Sequence, residues 1–139
     1  MPRDPLQAVL RLRRIANDEA RRAVSDAVAQ ETLAQRLADM VDDEIARETA
    51  LACRLEADDA AVEAFGAWLT YARQRAEAAR NAAERAGAET ARARAVLNLA
   101  RAGLEAAEAV AASRQDAAAA AQARREQHAL DDLTRRRRT

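Results

Sequence analysis

The sequence has little that would build a sheet or a compact core. It contains three glycines, two prolines and three aromatic residues among 139. A sheet protein needs β-branched and aromatic residues, with turn residues at regular intervals. No large apolar side chain occurs between Tyr71 and Val96, or between Val110 and Leu130. Since a compact domain of this size normally buries a continuous core, these absences exclude sheet folds and argue against a globular domain.

Other absences bear on location. The single cysteine, Cys53, forms no internal disulfide, which is typical of a reducing compartment. No apolar run approaches the roughly 18 residues of a membrane span, and the arginine-rich N-terminal stretch lacks the apolar segment of a signal peptide. We therefore expect a cytoplasmic protein.

Residues that favour helices dominate the composition. Alanine accounts for 41 residues, and arginine, leucine and glutamate are the next most frequent. Apolar residues recur at spacings of three and four, as in a coiled-coil seam. The first stripe contains Leu6, Val9, Ala16, Ala20, Ala23, Ala27, Ala34, Leu37, Val41, Leu51, Leu55, Val62, Phe65 and Leu69. The second contains Leu97, Ala100, Leu104, Ala107 and Ala111, and it weakens through Ala118 and Ala121. The fold class predicted is all-α, an antiparallel two-helix coiled-coil hairpin.

The turn of this hairpin has two candidate positions. The stretch Glu56-Ala57-Asp58-Asp59 offers an aspartate that can cap a new helix by accepting its free backbone N–H groups. Gly87 is the competing break. The first position predicts a single hairpin over residues 1–139. Its parts are helix 1 over about 5–57, a turn within 56–66, helix 2 over about 60–134, and a basic tail at 135–139.

Charge favours the first position. Residues 31–63 carry three arginines and ten acids, a net charge of −7, whereas residues 64–95 carry six arginines and three acids, a net of +3. A turn near residue 60 places these segments side by side with opposite charge, as the flanking positions of coiled coils favour. The remaining residues carry a net of +4, so we expect an acidic turn end and a basic open end.

The sequence offers no constellation for catalysis or metal binding. His128 and Cys53 are far apart in the chain, and no phosphate-binding glycine loop occurs. The acids Asp42, Asp43 and Glu44 lack the ligand pattern of a Ca²⁺ loop and suit a solvated helix face. We predict no catalytic residue, cofactor or metal. The arginines at 135–138 suit a solubilising tail better than a nucleic-acid contact, because the net charge is zero.

All three aromatic residues lie within seven positions, at Phe65, Trp68 and Tyr71. Phe65 falls on the predicted seam, whereas Trp68 and Tyr71 fall at its edge or beyond. Tryptophan and tyrosine are enriched in binding hot spots. The alternative, which the sequence supports equally, is that these aromatic residues pack within the seam near the turn.

The segments at 6–15, 60–71 and 123–133 together resemble the FliJ family, small coiled-coil proteins of flagellar, type III export. The segment at 6–15, followed by Asp18-Glu19-Ala20-Arg21-Arg22, is similar to the opening helix of that family. The segment at 60–71 resembles the aromatic entry to its second helix. The segment at 123–133, with the arginines that follow, resembles its ending.

The resemblance implies a hairpin similar to the stalk of rotary ATPases. It also implies binding to the export ATPase hexamer and to the cytoplasmic domain of the export gate, with membrane contact only through the export apparatus. Some members of the family also bind export chaperones. Carried over by position, the export-gate candidates are Leu37, Val41, Ile45, Val62, Phe65, Trp68, Leu69 and Ala72. The ATPase-facing candidates are Arg11, Arg13, Arg14, Arg124, Arg125 and Glu126.

The predicted function is thus a non-enzymatic stalk and coupling factor of type III export. The alternative is a generic coiled-coil adaptor or scaffold that acts by helix–helix association. A third class, an arginine-tailed binder of nucleic acid or membrane surfaces, would associate with DNA in a salt-dependent manner. The sequence leaves open whether the system is flagellar or virulence-associated.

Overall fold

The computed structural model describes residues 4–54 and 58–137. These residues form two helices, α1 (Pro5–Ala52) and α2 (Asp59–Arg137), and neither range contains a strand. The helices pack against each other, and as the residue number rises along α2 it falls along the facing part of α1. The all-α antiparallel hairpin predicted from the sequence is therefore confirmed.

An aspartate caps the start of each helix. The backbone N–H of Leu6 donates to Oδ1 of Asp4 at 3.0 Å, directly before Pro5 at the first helical position. The backbone N–H of Ala61 donates to Oδ1 of Asp58 at 2.8 Å. The second cap is the one that the sequence predicted for the start of helix 2.

The connection between the helices begins earlier than expected. Helix α1 ends at Ala52, whereas the sequence predicted a helix to about residue 57. Cys53 and Arg54 already form a turn. Glu56 and Ala57, which belonged to the predicted break, lie outside the described residues.

Helix α2 is continuous through Gly87, so the competing break at that position was wrong. The helix also extends past the predicted end near residue 134 and includes the first arginines of the basic tail, up to Arg137. These arginines stand in the last turn, where positive charge is favourable to the helix dipole.

The chain divides into two compact units that share these helices. We call Glu19–Leu97 the turn unit, because it contains the connection between α1 and α2. We call Met1–Asp18 together with Asn98–Thr139 the terminal unit.

The turn unit pairs its helices through small side chains and ion pairs. Glu44 Oε2 lies 3.8 Å from Arg75 Nη1, and Arg80 Nη2 donates to Asp42 Oδ1 at 2.7 Å. These contacts confirm the expected charge complementarity of the two segments. The buried residues between the helices are Ala20, Ala38 and Val41 on α1, and Ala72, Ala76, Ala79, Thr90 and Leu97 on α2.

The terminal unit pairs its helices over a shorter stretch. Leu10 and Asn17 of α1 and Ala107 of α2 are buried, with Leu104 and Ala111 half-buried. Beyond Ala111, every described residue of α2 is exposed except a half-buried alanine at 121. We call residues 112–137 the C-terminal extension.

The seam of α1 follows the predicted register in only one of its two rows. Ala20, Ala27, Ala34 and Val41 face α2 as predicted. The second row lies one residue later than predicted. It contains Leu10, Asn17, Val24, Ala38, Ile45 and Ala52, whereas Val9, Ala16, Ala23, Leu37 and Leu51 are exposed. On α2 the predicted stripe through Leu97, Ala100, Leu104 and Ala107 is confirmed as buried or half-buried.

Two helical glycines stand next to charged side chains of α1. A β-carbon at Gly87 would lie 3.3 Å from Oε1 of Glu31, and one at Gly103 would lie 3.0 Å from Nη1 of Arg13. Each glycine thus leaves room for a charged residue that occupies a seam position of α1. A β-carbon at Gly66, by contrast, would have no atom of a neighbouring side chain within 4 Å.

Candidate functional site

The aromatic residues form a cluster near the start of α2. The rings of Phe65 and Trp68 stack with centroids 5.7 Å apart and planes inclined by 30°. Both side chains are half-buried. Tyr71 is 60% exposed, and the guanidinium carbon of Arg75 lies 5.9 Å from its ring centroid. The cluster therefore contributes to the seam through Phe65 and offers Tyr71 and part of Trp68 to solvent.

The residues predicted to face the export gate divide into two groups. Val41 and Ala72 are buried between the helices, and Ile45, Phe65 and Leu69 are half-buried. Leu37 and Val62 are exposed, and Trp68 is partly so. Only this second group presents substantial surface while the helices remain paired.

The position of Glu44 and Arg75 identifies which side of the hairpin carries the exposed apolar residues. Leu37 and Leu51 lie one heptad before and after Glu44, and Trp68 lies one heptad before Arg75. Residues one heptad apart occupy the same side of a coiled coil. Leu37, Leu51 and Trp68 therefore share the side on which Glu44 meets Arg75.

Three more residues extend this surface, and sequence reasoning did not assign them to it. Leu33 and Met40 lie four residues before and three after Leu37, and Tyr71 lies three after Trp68. We call the whole set the apolar side, which contains Leu33, Leu37, Met40, Leu51, Trp68 and Tyr71. The spacing of 33, 37 and 40 was a signal for it, because three large apolar residues at helical intervals outside the true seam form a second stripe.

The opposite side of the turn unit is polar where its helices meet. Asp42 and Arg80 form their hydrogen-bonded ion pair there. The hydrogen bond to Asp42, together with its charge, raises the pKa of the Arg80 guanidinium above its ordinary value. Both sides of the turn unit therefore carry an ion pair between the helices, and the large apolar residues named above lie on the side of Glu44 and Arg75.

The basic residues predicted to face the ATPase lie at two different levels of the terminal unit. Arg14 Nη2 is 3.9 Å from Glu108 Oε1, so Arg11, Arg13 and Arg14 lie beside the middle of α2. Arg124 is sixteen residues beyond Glu108, about 24 Å further along the helix. The expected single basic end, with both arginine groups together, is therefore not formed.

Arg124, Arg125 and Glu126 belong instead to the C-terminal extension, where all three are exposed. Glu126 Oε1 accepts a hydrogen bond of 2.9 Å from Nε2 of Gln122 within the same helix. The extension alternates arginine-rich and acidic stretches on a helix that α1 does not cover.

The described residues offer no grouping for metal chemistry. Over residues 4–54 and 58–137, no three His, Cys, Asp or Glu side chains lie close enough to hold a metal ion. Within the same ranges, neither helix has a stretch apolar enough to cross a bilayer. His128 and Cys53 are both exposed.

Comparison with known proteins gives one result. A family model described as flagellar FliJ protein matches residues 2–138, nearly the whole chain. The match includes all three stretches on which the resemblance depends. Neither the curated proteins nor the solved structures contain a significant match.

Proposed function

This chain belongs to the FliJ family and is a flagellar export protein, and on that premise we propose that it is a stalk and coupling factor of the export apparatus. In this proposal the terminal unit engages the export ATPase hexamer, and the turn unit engages the cytoplasmic domain of the export gate. FliJ proteins are non-catalytic components of export, so the chain acts through contacts with its partners at the cytoplasmic face of the membrane.

The C-terminal extension is the observation that carries the ATPase part of the proposal. It comprises 26 helical residues that are exposed apart from the half-buried Ala121, and this helix is about 40 Å long at 1.5 Å per residue and about 10–12 Å wide. Its arginines at 114, 124, 125 and 135–137 point in several directions, because neighbouring helical residues diverge by about 100°.

Charge is a suitable means of contact for such a stalk. A strong apolar anchor would fix the helix to one subunit, whereas exposed ion pairs are individually weak, commonly about 0–1 kcal/mol. Arginines distributed around the extension can exchange among acidic groups of successive subunits. Leu130 and Leu133 are the large apolar side chains of the extension, and both are exposed.

For the gate, the exposed Leu37 and Val62 and the half-buried Trp68 are the proposed contacts. Val41, Ile45, Phe65, Leu69 and Ala72 act by holding the two helices at the spacing that presents those contacts. Tryptophan in a partly covered position is the type of residue that dominates binding energy. Escort of export chaperones is a further part of the proposal, and no particular surface is assigned to it.

ATP hydrolysis by the cognate export ATPase tests the ring contact. We expect Arg124→Gln/Arg125→Gln to reduce stimulation more than Arg11→Gln/Arg13→Gln/Arg14→Gln, because only the first pair lies on the C-terminal extension. The stimulation by the unmodified chain should decline with salt. Arg21→Gln/Arg22→Gln, which removes two exposed charges from the turn unit, is the matched control and should stimulate normally.

A chain that ends at Ala111 lacks the whole extension, so its effect on ATP hydrolysis tests whether the extension itself is needed. If it stimulates the ATPase as well as the full chain, the extension is not the stalk and the proposal for the terminal unit is wrong.

For the gate, Trp68→Ala should weaken binding to the gate's cytoplasmic domain by about thirtyfold or more at unchanged helix content. An unchanged gate affinity with a lower thermal midpoint would make Trp68 a packing residue only.

A further inference from the structure

The apolar side of the turn unit is exposed at both of its ends. Leu33, Leu37 and Met40 are each more than half exposed on α1. Leu51 is 52% and Tyr71 is 60% exposed at the other end, next to Trp68. Large apolar groups concentrated on one side of a helix pair mark a surface that another protein covers.

The larger residues of this side lie on α1 at one end of the turn unit and on α2 at the other end, so they follow a diagonal across the two helices. Leu37, one heptad before Glu44, lies at the level of Ala82, one heptad after Arg75. At this end Leu37 and Met40 on α1 stand beside Ala82 and Ala78 on α2, whereas Leu33 lies at the level of Arg85. At the other end Trp68 and Tyr71 make α2 the larger partner, and α1 offers Leu51 alone.

We infer that this surface binds a second copy of the chain, with the apolar sides of the two copies face to face. In a two-fold pairing with the symmetry axis parallel to the helices, α1 of each copy lies over α2 of the other. Leu37 and Met40 of one copy then rest over Ala82 and Ala78 of its partner, where short side chains leave room. A diagonal pattern of this kind is self-complementary, as a two-fold interface requires.

Charge selects the same arrangement. Glu44 and Arg75 lie midway between the two apolar ends. With the axis parallel to the helices, Glu44 of each copy lies over Arg75 of the other, and the four charges alternate in sign. With the axis across the helices, Glu44 would meet Glu44 and Arg75 would meet Arg75, which is repulsive. The segment charges of −7 and +3 favour α1 over α2 for the same reason.

The inference concerns the chain alone and does not depend on the proposed role in export. Since Leu37 and Trp68 are also proposed gate contacts, the dimer and the gate complex would exclude each other. Sedimentation equilibrium of the full chain tests it directly. We expect a reversible dimer with a dissociation constant of about 10–100 μM, typical of weak self-association. A chain that remains monomeric up to about 1 mM would overturn the inference.

Two variants locate the interface. Leu37→Glu places a charge on the apolar side and should weaken self-association by about thirtyfold or more, as loss of an interface hot spot does. Val28→Glu makes the same kind of change on the opposite side of α1, where Val28 follows the seam residue Ala27. This variant should leave the dimer intact. Circular dichroism establishes that both variants keep the helix content of the unmodified chain. A dimer that survives Leu37→Glu but not Val28→Glu would show that the wrong side has been assigned.

A mixing experiment tests the arrangement. Glu44→Arg and Arg75→Glu should each be monomeric alone, because each places like charges across the two-fold axis. An equimolar mixture of the two should dimerise, since every cross-copy contact is then between opposite charges. The double variant Glu44→Arg/Arg75→Glu should dimerise by itself. If the mixture stays monomeric while the unmodified chain dimerises, the arrangement of α1 over α2 is wrong.

Discussion

The turn unit and the terminal unit use one heptad repeat with different side chains in the seam. In the turn unit, alanines fill most buried positions, and Ala72 and Ala76 are each only 2% exposed. In the terminal unit the seam holds Leu10 and the polar Asn17. Arg13 also reaches over α2 there, at Gly103.

This difference has an energetic consequence. Alanine seams require close approach of the helices, so they tolerate neither added bulk nor added charge. A seam with larger and polar side chains is less tightly specified, and the described residues of the extension beyond it are exposed apart from the half-buried Ala121. We therefore expect the turn unit to hold most of the stability, and the terminal unit to open first.

The largest effect should come from a charge placed in the alanine seam. Ala76→Asp buries an unpaired carboxylate between the helices of the turn unit and should lower the free energy of unfolding by about 3 kcal/mol. Ala118→Asp is the matched change in the exposed extension. It should cost only the difference in helix propensity, about 0.7 kcal/mol or less. Thermal and urea unfolding followed by circular dichroism measures both.

Equal losses for the two variants would contradict this comparison, because they would mean that burial does not distinguish residues 76 and 118. A large loss at position 118 would further indicate that something covers the extension in solution. Self-association at the concentration used must be absent, so both variants are measured at several protein concentrations.

The sequence predicted much of this fold for identifiable physical reasons. The scarcity of breakers after Pro5 required long helices, and Asp58 supplied a cap at the only break found among the described residues. On α2 the register was clear because Leu97 and Leu104 are large residues set among alanines. The seam could be assigned wherever one apolar stripe stood alone.

On α1 the second seam row was misplaced because two apolar stripes run side by side. Leu37 stands next to Ala38, and Leu51 next to Ala52, so the larger residue of each pair suggested the seam. The structure buries Ala38, leaves Ala52 half-buried and exposes both leucines. Size was misleading because an alanine seam leaves no room for leucine, and the displaced leucines form the apolar side.

The candidate site was predictable only in part. The aromatic cluster was evident from composition, since no other segment contains an aromatic residue. The separation of Arg14 from Arg124 was not evident, because it depends on α1 ending at Ala52 and on the resulting register of α2. A shift of a few residues at the turn displaces the whole opposite end of a hairpin, and turn length is what periodicity does not determine.

The second prediction compares the buried polar residues of the two units. Asn17 Oδ1 is buried without a hydrogen-bond partner in the terminal unit, whereas Thr90 Oγ1 donates to the backbone oxygen of Ala86 in the turn unit. Asn17→Leu should raise the free energy of unfolding by about 1 kcal/mol, since it removes an unsatisfied buried group. Thr90→Val keeps the shape and should change stability less. Urea unfolding of both variants decides.

If Asn17→Leu is destabilising, the amide must be satisfied in solution, and the terminal unit would be as well packed as the turn unit. Asn17→Ala is the control for size. It removes the same polar group without adding apolar contacts, so it should fall between the unmodified chain and the leucine variant.

The smallest effects should come from the helical glycines, and they test whether space alone distinguishes the units. Alanine is more favourable than glycine within a helix by about 0.5–1 kcal/mol. At Gly66 of the turn unit nothing lies within 4 Å of the new β-carbon, so Gly66→Ala should show this full gain. At Gly103 of the terminal unit the β-carbon would lie 3.0 Å from Nη1 and 3.3 Å from Cζ of Arg13. The guanidinium must therefore move, and Gly103→Ala should gain less.

The double variant Arg13→Ala/Gly103→Ala, compared with Arg13→Ala alone, should recover the gain seen at Gly66. A gain at Gly103 equal to that at Gly66 while Arg13 is present would mean that Arg13 does not occupy this space in solution.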